Sequence, residues 1–481
     1  MKEQSAHSGF RNVLKATSLF GGVQVFNILI SLARSKFVAV LIGPSGMGIL
    51  GLLNSTLYLV NSATQLGLDK SAVKELSYAH KNQDASSVGR QAAILKRLVW
   101  WTVLLGMLVM IAGAPWFSEW AFNDATFTMP IRWLALAVLF TQLTKSRLAI
   151  LQGLQKHAPL AKANVLGNFM ALAITVPLYY FYGIDAIVPA IIIASAISMI
   201  VTLYFSEKLT LPKTKITNHQ AFQEGQGMIG LGVTLSISGL IALLTTYLLQ
   251  IFISYQGGTA EVGFYNAGIV ILNTYVGMVF TAMATDYFPR LSALSDDIVR
   301  IRQTVFEQAY IAVLLLVPIV VVFTAFAPLI IDILYSSEFD PTATFVRWGI
   351  LAMLLRAVSW SMGYIIIAKG DSRLFIKTAI GFNALLLTLN VVGYYFWGFV
   401  GLGISFIVHY SLHALGMLII TRWRYGFYFN KGFFGIFFGS LLLCVVAFLV
   451  SFIETPFWHY FLLVLLIIIS AGYSFYFLDK K

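Results

Sequence analysis

Fourteen apolar stretches, each long enough to cross a lipid bilayer, constrain this chain more than any other feature of its sequence. A transmembrane helix needs about 20 predominantly apolar residues. The stretches lie approximately at 14–41, 46–68, 98–114, 129–153, 159–181, 185–206, 227–254, 262–285, 304–331, 343–368, 374–396, 401–421, 432–452 and 458–478. Only 11% of the residues are charged, against about 25% in soluble domains, so lipid must cover much of the surface. The sequence therefore predicts an all-α integral membrane protein with about 14 transmembrane helices.

The basic residues are concentrated on one side of the predicted membrane. We assign 27 of the 32 lysines and arginines, Lys145 among them, to loops on the side of the N-terminus. The opposite loops carry acidic residues such as Glu119, Asp185 and Glu454. Because cytoplasmic loops carry an excess of Lys and Arg, we expect a multi-pass protein with both termini in the cytoplasm.

The chain contains an internal duplication with a spacing of 215 residues. Over residues 130–183, 15 of 54 positions are identical to those 215 residues later, including Arg132 with Arg347. Each copy holds six predicted spans, so the two copies have parallel topology. Such repeats are typical of secondary transporters, which bind substrate between the repeats, although a duplicated scaffold without transport is also open. The predicted domains are an N-lobe at 1–206, a linker at 207–226, a C-lobe at 227–425 and two additional spans at 426–481.

Several function classes are disfavoured by what the sequence contains. The single cysteine, Cys444, excludes a disulfide scaffold, and the scattered basic residues disfavour a nucleic-acid partner. No nucleotide-binding loop, zinc pattern or catalytic triad is evident, and the predicted loops are too short for a soluble catalytic domain. We therefore expect no enzyme activity, no cofactor and no metal.

Five basic residues remain within the predicted spans: Arg34, Lys36, Arg132, Arg347 and Arg356. A charge at a helix centre costs roughly 2.5–3.5 kcal/mol on insertion scales, so it needs a partner or a water-filled cavity. Arg356 is nine residues deeper than Arg347, about 13 Å along a helix, and is expected to face a cavity. Arg34 and Lys36 point about 200° apart on a regular helix, so only one of them can face the same cavity.

The remaining polar candidates have two interpretations each. Arg132 and Arg347, next to tryptophans near outer span ends, either extend to the headgroups or face the cavity. His409 and His413 share one helix face and serve either polar packing or a proton response. No Asp or Glu falls near the middle of a span. The spans thus provide cations and no carboxylate, which predicts a cavity for an anion.

Two stretches resemble a known family. Residues Lys36–Gly48, KFVAVLIGPSGMG, are similar to a basic residue followed by an apolar run and a G-P-x-G-x-G turn. Residues Gly363–Lys369, followed by Arg373, are similar to a stretch of the second lobe. Together they resemble the Wzx-type O-antigen and lipid-linked oligosaccharide flippases, in the polysaccharide transporter family of the multidrug/oligosaccharidyl-lipid/polysaccharide exporter superfamily.

The resemblance implies two V-shaped lobes that open a cationic cavity to each side of a bacterial inner membrane in turn. It implies that an undecaprenyl-diphosphate-linked glycan, an O-antigen or related repeat unit, moves from the cytoplasmic to the periplasmic leaflet. Membrane lipids, and polysaccharide polymerase or chain-length proteins, are the implied partners. By position, Lys36 matches the basic residue of the family in the first span.

The predicted span count departs from this family, and two other functions, an antiporter and a membrane-embedded enzyme, are alternatives. Fourteen spans exceed the twelve of many such translocases and resemble the lipid II flippases, in which the extra pair helps form a lipid groove. An organic-cation antiporter of the same superfamily would share the fold, but the absence of a mid-span carboxylate disfavours it. A membrane-embedded polymerase or glycosyltransferase would need a large external loop or paired acids, and the sequence predicts neither.

Overall fold

The described residues are almost all helical, and no strand occurs among them. The structure, a computed structural model, describes residues 2–82, 84–209, 211–212, 214–294, 297–453 and 455–480, with side chains from 26 onward except 285, 456, 459 and 460. Lys213 and Glu454, which the loop charges include, and both chain ends lie outside the described residues. The predicted all-α class is confirmed.

Fourteen α-helices follow one another along the described residues. They are α1 Lys2–Gln65, α2 Leu68–Lys81, α3 Ala85–Phe122, α4 Thr128–Gly153, α5 His157–Tyr182, α6 Ile187–Glu207, α7 Asn218–Ile269, α8 Met278–Ser292, α9 Ile298–Leu334, α10 Asp340–Gly349, α11 Ala352–Ala368, α12 Ser372–Tyr425, α13 Lys431–Val450 and α14 Pro456–Asp479. A π-helical segment, Val270–Tyr275, follows α7.

These helices do not correspond one to one with membrane spans. Nine helical stretches of the described residues are long and apolar enough to cross a membrane, or ten if a bent pair forms one span. That pair is α10 and α11, which meet at an angle of 55° within the predicted span 343–368. Several stretches are far longer than one crossing requires and contain sharp breaks. The total of fourteen spans stays a prediction.

The helix breaks occur at equivalent positions of the two sequence repeats. Gly43 interrupts α1 and Gly258 interrupts α7, with φ values of 63° and 82°. Gly183 and Gly398 agree more closely, with φ/ψ of 56°/−131° and 55°/−132°. Glycine adopts positive φ without the steric cost of a Cβ atom, so it permits these sharp bends. The duplication seen in the sequence is therefore also present in the backbone.

The chain forms two compact units, Met1–Ala260 and Glu261–Lys481, here called unit 1 and unit 2. In unit 1, α4 packs against α3 and α6, and α5 packs against α1 and α6. In unit 2, α9 is the central helix and packs against α8, α10, α11, α13 and α14. Val313, Val317 and Val320 of α9 are fully buried, as expected for an apolar helix surrounded by others.

The first half of α7 belongs to unit 1 and contacts other helices of that unit. The hydroxyl groups of Thr56 and Tyr247 lie 2.8 Å apart and form a buried hydrogen bond. At the loop end, the Arg90 guanidinium donates to the Glu224 carboxylate over 2.6 Å. This hydrogen bond holds the pKa of Glu224 below its usual value. Residues up to Ala260 therefore form one compact body, although 227–260 belong to the second sequence repeat.

Candidate functional site

Each unit contains a polar cavity within its own helices. Cavity A, of about 330 Å³, lies in unit 1 and is lined by α1, α4, α5 and α6. Cavity B, of about 390 Å³, lies in unit 2 and is lined by α11 and both halves of α12. Their lining residues match at the repeat spacing: 144 with 359, 145 with 360, 168 with 383, 171 with 386, 194 with 409, 195 with 410 and 198 with 413. The duplication has thus produced two equivalent cavities.

Cavity A is lined by two basic side chains, Arg34 of α1 and Lys145 of α4. The exposed Arg34 guanidinium forms no hydrogen bond or ion pair with the described residues, while the Lys145 ammonium donates to Gln65 over 3.3 Å. Asn54 and Asn168 add amide groups to the wall. A cavity with these donors can hold an anion by charge-assisted hydrogen bonds.

Lys36, the other candidate of α1, is half-buried and is not part of the described lining of cavity A. It lies two residues after Arg34, which places the two side chains on nearly opposite sides of the helix. The structure thus brings Arg34 to the cavity and directs Lys36 elsewhere.

The sequence pattern groups Lys145 with the basic loop residues of the cytoplasmic side, and the structure places it within a helix. Lys145 lies inside α4, eight residues before that helix ends at Gly153. The signal was available, because the apolar stretch 129–153 includes Lys145. The charge pattern across the predicted membrane therefore did not indicate that Lys145 lines a cavity.

Arg356 lies on α11 of unit 2, beside cavity B. Its Nη1 donates a hydrogen bond to Asn273 Oδ1 over 2.7 Å. The guanidinium also lies 5.1 Å from the ring centroid of Phe280 and 5.7 Å from that of Tyr410, which lines cavity B. Such distances are typical of cation–π contacts. Asn273 belongs to the π-helical segment Val270–Tyr275, and π-helical turns often occur at functional sites.

His409 and His413 both line cavity B, where their rings stack 5.7 Å apart with an interplanar angle of 10°. The Phe382 ring is nearly perpendicular to the His413 ring, and the two ring centroids lie 4.2 Å apart. Both Nδ1 atoms are buried and have no hydrogen-bond partner within the described residues. Cavity B therefore has Trp360 where cavity A has Lys145, and imidazoles where cavity A has Ala194 and Ser198.

Arg132 and Arg347 line neither cavity among the described residues. Arg132 is exposed and contacts Met129, its neighbour one turn earlier. Arg347 is half-buried, with its guanidinium 5.7 Å from the Phe452 ring at the end of α13. Both lie near helix ends, and their location at the outer surface stays a prediction.

Over the described part of the chain, no group of three His, Cys, Asp or Glu residues could hold a metal ion. The described residues that line the two cavities include no Asp or Glu. The charged groups that line these cavities are therefore all basic.

A family model described as polysaccharide biosynthesis protein matches residues 37–344, well over half of the chain. The chain belongs to this family. Its curated relatives include the lipid III flippases of Escherichia coli (strain K12) and Shigella flexneri. Each is 21% identical over 371 residues, which cover 73% of this chain and 84% of the relative.

Solved structures of two kinds share the fold. An inward-facing MATE multidrug transporter of the MOP superfamily has a TM-score of 0.67 and 14% identity, over 82% of this chain and 94% of that one. The lipid II flippase MurJ, in an inward closed conformation, has a TM-score of 0.66 and 13% identity, over 97% and 99%. This family member therefore has the fold that these solved structures share.

Proposed function

We propose that this protein moves a lipid-linked oligosaccharide with a diphosphate group across the bacterial inner membrane. The observation that carries the proposal is the charge of cavity A, where Arg34 and Lys145 face a cavity whose described lining has no carboxylate. The lipid III flippase relatives support the substrate class. We propose an O-antigen or related surface polysaccharide repeat unit, carried on undecaprenyl diphosphate, as the substrate.

The physical reason is the cost of carrying a diphosphate across about 30 Å of hydrocarbon. An unpaired charge in that medium is prohibitively expensive. Arginine offers a planar fork of donors that matches phosphate, and lysine offers a compact charge. The prenyl chain can remain in lipid while Arg34 and Lys145 replace the water around the headgroup, and we assign Arg356 of unit 2 to the same substrate.

We further propose alternating access by two lobes at 1–206 and 227–425, with 207–226 as the linker and 426–481 as additional spans. Both termini would then lie in the cytoplasm, because basic residues dominate the loops on that side. The protein would be a transporter without catalytic activity. A polysaccharide polymerase and its chain-length proteins would use the product.

An organic-cation antiporter is the second candidate, because a MATE transporter shares the fold. Recognition of a cation would favour a carboxylate in the cavity, and none lines cavity A or cavity B within the described residues. Shared fold alone does not decide between the two functions, because one fold hosts many functions.

The test uses purified protein in liposomes that contain a fluorescent undecaprenyl-diphosphate oligosaccharide. The fraction that becomes accessible on the opposite leaflet is measured over time. We expect protein-dependent movement, reduced by about tenfold or more in Arg34→Gln, Lys145→Gln and Arg356→Gln, because each loses a charged hydrogen bond. Lys162→Gln is the matched control, since Lys162 is exposed and outside both cavities.

Two outcomes would contradict the proposal. Wild-type rates in all three cavity variants would show that the basic residues do not contact the substrate. No movement of any diphosphate-linked glycan, together with efflux of an organic cation such as ethidium, would establish the antiporter.

A further inference from the structure

A third cavity, cavity C, lies at the loop end of unit 1 between α3, α4 and α6, away from cavity A. Its volume is about 640 Å³. By the predicted topology, this end of the three helices is at the cytoplasmic surface of the membrane. The linker forms its outer wall, because Pro212 passes so close to Gly89 that a Cβ at position 89 would lie 2.6 Å from the Pro212 carbonyl oxygen.

Among the described residues, three charged side chains line cavity C: Lys96 of α3, Arg147 of α4 and Glu207 of α6. None of them forms a hydrogen bond or ion pair with the described residues, and Arg147 is half-buried. A half-buried guanidinium without a partner has a strong tendency to bind an anion. These three side chains carry two positive charges and one negative charge, a net charge of +1.

The rest of the wall is apolar and continues onto the membrane face of α3. Trp100 lines cavity C, and Leu104 and Leu108 follow it at intervals of one helical turn. The three side chains are 45%, 56% and 63% exposed. Tryptophan is enriched at the boundary between headgroups and acyl chains, which places the charged residues at headgroup level.

The two repeats differ at the neighbouring face of α3, which carries Trp101 and Leu105. In unit 2 the equivalent helix is α9, and α13 and α14 cover it. Trp101 is 59% exposed and Leu105 47% exposed, whereas their equivalents on α9, Leu316 and Val320, are fully buried. The chain therefore covers this neighbouring face in one repeat and leaves it open in the other, whereas the Trp100 position is exposed in both, with Leu315 39% exposed.

We propose that cavity C binds an anionic phospholipid of the cytoplasmic leaflet. The headgroup phosphate accepts hydrogen bonds from Arg147 and Lys96, and an acyl chain lies along Trp100, Leu104 and Leu108. Basic pockets between transmembrane helices on the cytoplasmic side are suited to such lipids. This site is separate from cavity A and does not depend on what the protein transports.

The experiment is native mass spectrometry of the purified, delipidated full-length protein, titrated with dioleoylphosphatidylglycerol in detergent. We expect a first lipid to bind to the wild type, and binding to weaken about tenfold in Arg147→Gln and Lys96→Gln, because each variant loses a charged hydrogen bond. Arg97→Gln is the matched control. Arg97 is exposed on the same turn of α3 but does not line cavity C.

Glu207→Gln distinguishes anionic from zwitterionic lipids. Removing its carboxylate should strengthen binding of phosphatidylglycerol, because a negative charge beside the phosphate is lost. Weaker binding of this lipid in Glu207→Gln, or a wild-type preference for phosphatidylethanolamine, would overturn the proposal in favour of an aminophospholipid held by Glu207. Displacement of the bound lipid by millimolar inorganic phosphate, which has no acyl chain, would overturn the proposal in favour of a free-phosphate site.

Unchanged binding in both Arg147→Gln and Lys96→Gln would place the lipid elsewhere and refute the site. Thermal unfolding without added lipid checks that the variants fold. Since Lys96 is exposed, Lys96→Gln keeps the test decisive even if Arg147→Gln is unstable.

Discussion

Replacing Asn273 with aspartate tests whether the Arg356 charge is available to the substrate. Asparagine and aspartate have nearly the same size, and Asn273 Oδ1 already lies 2.7 Å from Arg356 Nη1. The substitution therefore changes a neutral acceptor into an anionic one without moving the guanidinium. The Arg356 charge, which we assign to the substrate diphosphate, would then be neutralised by an ion pair.

The expected size of the effect follows from this geometry. Two unit charges about 4 Å apart interact by roughly 4 kcal/mol at an effective dielectric constant of 20. Asn273 is exposed, so solvent screens part of this interaction. Retaining a third of it, about 1.4 kcal/mol, is enough to slow transport about tenfold.

The assay is the initial rate of glycolipid movement in liposomes, measured for Asn273→Asp, Asn273→Ala and Thr274→Asp. Thr274 is exposed and is the next residue of the same π-helical segment, so Thr274→Asp adds the same charge in a different direction. We expect Asn273→Asp to be the slowest of the three, with thermal stability at least equal to that of Asn273→Ala. If Asn273→Asp transports at the wild-type rate, Arg356 does not meet the substrate phosphate.

Two further predictions concern the first half of α7. A methyl group at Gly232 would collide with the Leu66 carbonyl oxygen, so Gly232→Ala should lower the free energy of unfolding by roughly 1–3 kcal/mol, measured by chemical denaturation in detergent. A methyl group at Gly230 meets nothing within 4 Å, so Gly230→Ala should be neutral or stabilising by up to about 1 kcal/mol. An equal loss of unfolding free energy in both variants would contradict the close contact at Gly232. The Arg90 hydrogen bond lowers the pKa of Glu224, so the folded state releases this proton more readily than the unfolded state. Its stabilising effect should be present above the unfolded pKa of about 4.3 and disappear as pH falls through the lower folded value, so melting temperatures of wild type and Glu224→Gln should differ at pH 7 and converge in acid.

The helical class and the duplication could be predicted because both are written in local patterns. Apolar stretches of bilayer length leave no alternative to helices, since every backbone group must be hydrogen-bonded within its own segment. The identities around Gly183 and Gly398 located the most regular of the repeated bends. Glycine at both positions is required by the positive φ, so the sequence similarity had a direct structural cause.

The details of the candidate site could not be predicted in the same way. The pairing of Arg356 with Asn273 spans 83 residues and depends on the π-helical segment, which no hydropathy pattern indicates. The bend between α10 and α11 falls inside an uninterrupted apolar stretch. The correspondence of cavities A and B depends on which side of each helix faces its neighbours, and this is decided by packing.

The position of α7 has a consequence for anyone who divides this protein into fragments. A gene cut at the sequence repeat, near residue 217, would remove from unit 1 the partner of Thr56 and the glycine that meets Leu66. A cut near residue 260 would keep these contacts within one polypeptide. Ancestry and compactness thus divide the chain at different places, because the second sequence repeat begins well before the first compact unit ends at Ala260.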